Sequence, residues 1–221
     1  MTMARSSAAR RLDDAAPAIE RRRPGFGGGD LPPVVPNRAV VSNASLAVAM
    51  FIAAEVMFFA GLIGAFLVFR LGSPVWPPPF QPRLPLGVTG VNTLVLLLSA
   101  VTMDASVRRM RAGAVREALR ALSLTAILGG AFLLIQGYEW FRLIHFGLTV
   151  SSSVYGGLFY TLIGFHAAHV LGALVWLFAV LAHAKRGKLS KTRHASLATC
   201  RMYWTFVVAL WPVLYVLVYL N

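Results

Sequence analysis

SNASLAVAMFIAAEVMFFAGLIGAFLVF, Ser42 to Phe69, is apolar from Leu46 onward except for one carboxylic acid, Glu55, near its middle. A helix needs about 20 mostly apolar residues to cross a bilayer, and this run exceeds that. Four more apolar runs follow. Together they predict five spanning helices, at 44–70, 88–107, 117–142, 153–184 and 198–220. The chain has 221 residues and is 57% apolar, so little remains for a water-exposed domain. Short connections predict an all-α integral membrane protein, a single bundle of neighbouring, mostly antiparallel helices over residues 41–221.

The formal charge is +13, and its distribution argues against nucleic acid as a partner. Arg5, Arg10, Arg11, Arg21, Arg22, Arg23 and Arg38 precede the first span. Arg108, Arg109, Arg111, Arg116 and Arg120 surround the loop between spans two and three. Lys185, Arg186, Lys188, Lys191 and Arg193 fill the loop between spans four and five. The other two loops carry only Arg70, Arg83 and Arg142. Basic and poor loops alternate as retention of positive charge in the cytoplasm predicts. The N-terminus is expected inside and the C-terminus outside, with the basic loops drawn to anionic headgroups.

Residues 1–40 are rich in Arg, Ala, Pro and Gly and predict a flexible basic tail on the cytoplasmic side. They lack the apolar core of a secretory signal, so the first span is expected to act as its own insertion signal. The 71–87 loop, LGSPVWPPPFQPRLPLG, cannot be helical because of its prolines; Trp76 and Phe80 suit the outer interface. Pro212 is expected to kink the last span. The small residues Ala60 and Gly64, Gly61 and Ala65, Ala126 and Gly130, and Ala168 and Gly172 recur four apart and predict close helix approach. Cys200, the only cysteine, excludes an internal disulfide or a multi-cysteine metal site and reads as a small apolar filler.

The remaining polar groups inside the spans carry the functional question. An ionisable side chain in hydrocarbon costs several kcal/mol unless it is neutral, paired or wet. Glu55 is therefore expected to be protonated or hydrogen-bonded to another helix. Both readings, a structural tie and a proton-handling acid, stay open. His166 and His169, in GFHAAHV, are three residues apart and are expected on nearly the same helix face. As metal ligands they would lack a third strong donor unless Glu55 supplied it, so no metal or haem is expected in this chain. The expected arrangement joins one histidine to a backbone carbonyl and the other to Glu55. Gln136 and Glu139 lie near the outer end of span three, where Glu139 reaches water, Arg142 or Arg70. Asp104 stands four residues before Arg108 and predicts a helical ion pair near the inner surface. Arg70, Arg142 and Arg201 are candidate headgroup contacts. No nucleophile triad, phosphate loop or dinucleotide turn is present, so no catalytic set is assigned.

These segments also form a recognisable series. AAEVMFFAGLIGAFLVF resembles the segment of haem–copper oxidase subunit III in which an acid precedes a Phe-Phe pair. GVNTLVLLLSAVTMDAS, QGYEW, VYGGLFYTLIGFHAAHVLGA and YWTFVVALWPVLYVLVY are similar to later segments of that family, in the same order. The resemblance implies a non-catalytic subunit of a respiratory terminal oxidase. It would pack on subunit I, accompany subunit II and small subunits, hold phospholipid and help sustain proton uptake. Haem and copper would belong to the partner. The family's carbodiimide-reactive acid maps onto Glu55, its paired histidines onto His166 and His169, and its third-segment acid onto Glu139. Two features depart from the family. The first two helices of longer members have no counterpart, as in short bacterial forms, and Thr205 and Val208 replace a usual His and Asp. The expected location is a bacterial cytoplasmic membrane. An accessory subunit of a nitric oxide reductase and a stand-alone proton-coupled transporter are the alternatives.

Overall fold

Ser42 opens the first helix by accepting the Ser45 backbone N–H on its hydroxyl at 3.1 Å, a side-chain cap that satisfies one of the free donors at a helix start. The computed structural model describes residues 42–79, 84–185 and 192–220, with 192–195 as backbone only. The expected 1–40 tail and Phe80 lie outside the described residues. Five helices follow in order: α1 Asn43–Gly72, α2 Leu86–Arg111, α3 Val115–His145, α4 Val154–Lys185 and α5 Thr192–Tyr219. All five are long and apolar enough to cross a membrane, and no strand occurs among the described residues.

The helices overrun the apolar windows because their ends stay helical into the charged flanks. With 26 to 32 residues each at 1.5 Å per residue, they outreach the ~30 Å hydrocarbon layer. Two glycines make the turns short. Gly113 (φ 78°) lets α2 turn into α3, and Gly147 (φ 91°) ends α3 in a left-handed conformation that side chains resist. Leu148 then donates its N–H to Leu143 and is fully buried.

Helices α2, α3, α4 and α5 form a closed ring of neighbours, each touching the next and α5 returning to α2. Helix α1 lies outside that ring, against α5 and α4, and buries only Phe59 and Phe66. The core centres on two tryptophans seven residues apart on α5. Trp204 donates to the Ser99 hydroxyl at 3.1 Å, and Trp211 donates to the Thr93 hydroxyl at 2.8 Å. Phe132 meets the Trp211 ring edge-on at 5.0 Å. In lipid, helices are held by such packing and by interhelical hydrogen bonds rather than by the hydrophobic effect. Between α2 and α3 those bonds are Asn92 to the Phe132 carbonyl, Thr102 with Thr125, and Ser106 to the Ala118 carbonyl.

The glycine expectation needs correction. A β-carbon at Gly61, Gly64, Gly130 or Gly172 would meet nothing within 4 Å, so these glycines do not mediate close approach. Gly129 does, because a β-carbon there would stand 2.5 Å from the Trp204 ring. Spacing alone finds pairs of small residues but not the large ring that uses the gap. Trp76 is not a free interfacial anchor: it sits edge-on between Phe66 and Tyr155, at 5.7 and 5.2 Å. Cys200 is buried, and Pro212 lies inside α5, which continues to Tyr219.

Candidate functional site: a carboxyl–imidazole link between α1 and α4

Glu55 reaches across from α1 to α4. Its Oε2 lies 2.9 Å from Nε2 of His169, with both side chains largely covered, at 14% and 18% exposure. The other ring nitrogen of His169, Nδ1, lies 2.6 Å from the Phe165 carbonyl one turn earlier. A carbonyl accepts only, so Nδ1 carries a proton. Nε2 then accepts a proton from a neutral Glu55 or donates one to its carboxylate. One hydrogen bond forms in either state, and the proton between the two groups can sit on either.

The residues after Glu55 build the walls of this link. Phe58 and Phe59, one turn on, place their rings 6.2 and 5.1 Å from the His169 ring. Phe58 also meets Phe165 edge-on at 5.2 Å. An acid followed by Phe-Phe at helical spacing thus delivers one hydrogen-bonding group and two aromatic walls to the same imidazole.

His166 does not join them. It is fully buried, lies nearly parallel on Trp211 at 5.0 Å, and neither ring nitrogen has a hydrogen-bond partner among the described residues. The expectation that the two histidines divide the carbonyl and Glu55 between them is therefore corrected: His169 makes both contacts. Three residues advance a helix by 300°, leaving the two side chains about 60° apart. That angle separates the core-facing side of α4 from the side facing α1. Among the described residues, no three His, Cys, Asp or Glu side chains converge as a ligand set.

The other polar candidates hold helix ends. Buried Gln136 donates to the Tyr219 hydroxyl at 3.0 Å, tying α3 to α5. Glu139, 6% exposed, accepts from Arg142 at 3.3 Å. Arg70 donates to the Leu217 carbonyl at 3.1 Å and joins the end of α1 to the end of α5. Asp104 pairs with Arg201 on α5 at 3.1 Å. This corrects the Asp104–Arg108 pair expected within α2: at this position the neighbouring helix offers the closer cation. All three arginines singled out as headgroup contacts, Arg70, Arg142 and Arg201, thus engage the protein itself.

Sequence reading missed the Trp204–Ser99 and Trp211–Thr93 bonds. Their signal was present as Asn92, Thr93, Ser99 and Ser106 on one stripe of α2 and two tryptophans seven apart on α5.

Comparison with known proteins agrees along the whole membrane region. The family described as Cytochrome c oxidase subunit III matches residues 35–221. A relative from Synechocystis sp., named cytochrome c oxidase subunit 3, is 36% identical over 78% of this chain and 73% of its own. Relatives of the same name from Corynebacterium diphtheriae and Pelomedusa subrufa are 34% and 32% identical. They cover 83% and 82% of this chain and 93% and 70% of their own. A five-helix membrane bundle with this motif order and this match over nearly all its described length belongs to the cytochrome c oxidase subunit III family.

Proposed function

We propose that this chain is the non-catalytic third subunit of a haem–copper cytochrome c oxidase. It packs directly on the catalytic subunit I, keeps that subunit stable during turnover, holds phospholipid and supports proton uptake. Subunit II and small subunits complete the complex, and haem and copper reside in the partners. The observation that carries this reading is the family match over residues 35–221, joined to the Glu55–His169 bond at 2.9 Å. That bond lies between the outlying helix α1 and the ring, so it sets the position of the α1 face next to a partner or its lipid. The rival readings, a proton-coupled transporter and a nitric oxide reductase accessory, gain no support from relatives named as oxidase subunits.

The proposed setting is a bacterial cytoplasmic membrane, with the basic loops and N-terminus inside. Two experiments test the reading. Purification in mild detergent must bring this chain down with a haem protein; purification alone, without haem, sinks it. Glu55→Ala is expected to assemble with the complex yet shorten the number of turnovers before inactivation. Equal turnover and equal inactivation in Glu55→Ala and wild type would remove the role assigned to the link.

A further inference from the structure

Every carboxyl group among the described residues already has a basic partner. Glu55 faces His169, Asp104 faces Arg201, Glu117 faces Arg109 at 3.9 Å, and Glu139 faces Arg142. The end of the bundle holding the α2–α3 turn and the C-terminus of α4 therefore keeps positive charge that no carboxylate among the described residues offsets. Two of those cations, Arg120 on α3 and Lys185 on α4, have no ion pair among the described residues, and both line one cleft of about 480 Å³. Leu119, Ser123, Leu124 and Ile127 complete its lining. The volume lies within the roughly 300–1,000 Å³ typical of small-ligand clefts.

The order of chemistry along the cleft identifies its occupant. Arg120, Ser123, Leu124 and Ile127 follow helical spacing on one stripe of α3. The cation stands in the second turn, the hydroxyl one turn deeper and the aliphatic side chains beyond it. Leu124 and Ile127 are exposed at 45% and 65%, as a wall against hydrocarbon would be. Arg116, one turn before Arg120 and exposed, extends the basic stripe toward water. Charge, then hydroxyl, then aliphatic surface is the sequence of groups that a phospholipid presents from phosphate through glycerol to acyl chain. A guanidinium and an ammonium at one mouth also match the phosphate in charge. An acidic peptide would satisfy the cations and leave the aliphatic half uncovered.

We propose that the α3–α4 cleft binds one anionic phospholipid from the leaflet at the basic end of the bundle. The phosphate sits between Arg120 and Lys185, and an acyl chain lies along Leu124 and Ile127. This extends the lipid-holding role proposed above to a specific site. It rests on the helices spanning a bilayer and is independent of which oxidase subunit adjoins them.

The test uses the purified complex in mild detergent, titrated with phosphatidylglycerol or phosphatidylcholine spin-labelled on an acyl chain. Wild type is expected to prefer phosphatidylglycerol. In R120Q/K185Q the preference falls about 25-fold, or about fivefold for each basic side chain removed from an anionic surface. Ser123→Trp keeps both charges but fills the cleft and is expected to lose the same lipid. Unchanged phosphatidylglycerol binding in either variant, or equal binding of the two lipids by wild type, overturns the site. A photo-crosslinker at position 123 separates lipid from protein: an adduct with lipid supports the site, and an adduct with a neighbouring subunit overturns it. Neither result bears on the Glu55→Ala experiment, so each proposal can fail alone.

Discussion

His166 and His169 differ by less than one helical turn and have opposite surroundings. His169 bonds the one acid of α1, while His166 lies flat on Trp211 with no hydrogen-bond partner among the described residues. The two sites therefore respond differently to substitution. Interhelical side-chain hydrogen bonds in membranes average about 0.6 kcal/mol and reach about 1.7 kcal/mol. A double-mutant cycle of Glu55→Ala and His169→Ala, followed by unfolding in mixed micelles, should give a coupling of about 1 kcal/mol. His166→Phe keeps the ring stack and removes no hydrogen bond, so it should change stability by less than about 1.5 kcal/mol, whereas His166→Ala leaves a cavity costing about 2–5 kcal/mol. Gly129→Ala forces a methyl group into Trp204 and should cost about 1–3 kcal/mol, while Gly130→Ala, with open space around it, should be neutral within about 0.5 kcal/mol. That Glu55 needs a polar partner inside the bilayer was legible from the cost of polar groups in lipid, and His169 is that partner. Which histidine faces the acid was not legible, because it turns on the azimuth of α4, fixed only by packing against α1, α3 and α5.

Helix α1 differs from the other four in how it is held. It buries only Phe59 and Phe66 and relies on two polar ties, Glu55–His169 near its middle and Arg70 to the Leu217 carbonyl at its end. Arg70→Gln shortens the second tie. Hydrogen exchange in the last turns of α1 should rise several-fold, with the α2–α3 hairpin unchanged; equal protection throughout would show that Arg70 holds nothing. The Asp104–Arg201 pair is different in kind. Its side chains are 43% and 41% exposed, so Asp104→Asn should cost no more than about 1 kcal/mol and the loss should shrink as salt is added. Sequence placed Asp104 with Arg108 because the i, i+4 rule sees one helix at a time. The true partner, Arg201, belongs to α5, and only the adjacency of α2 and α5 brings it near.

At the scale of the whole molecule, five apolar runs in the sequence sufficed for five membrane helices. A bilayer allows few other structures to a chain with unsatisfied backbone groups. The arrangement of those helices was less legible. Four form a ring and the first stands outside it; the outlying helix is the most apolar of the five, but that bias does not say which neighbours it packs against. Orientation across the membrane rests on charge alone and has a direct check. Cys200 is buried and should stay silent to a membrane-impermeant thiol reagent. Single cysteines at Ala112 and at Ser151 should then label from opposite sides, Ala112 from the cytoplasm and Ser151 from outside; the reverse pattern would invert the topology.

Helix α5 supplies both central tryptophans and touches α1, α2 and α4, yet it is the last of the five to leave the ribosome. Until it inserts, the hydroxyls of Thr93 and Ser99 have no indole to receive and α1 has no backing. The nascent protein therefore stays unfinished through most of its synthesis, and closure comes in one late step. A premature stop before residue 192 should yield a product that cellular proteases clear rather than a smaller working subunit.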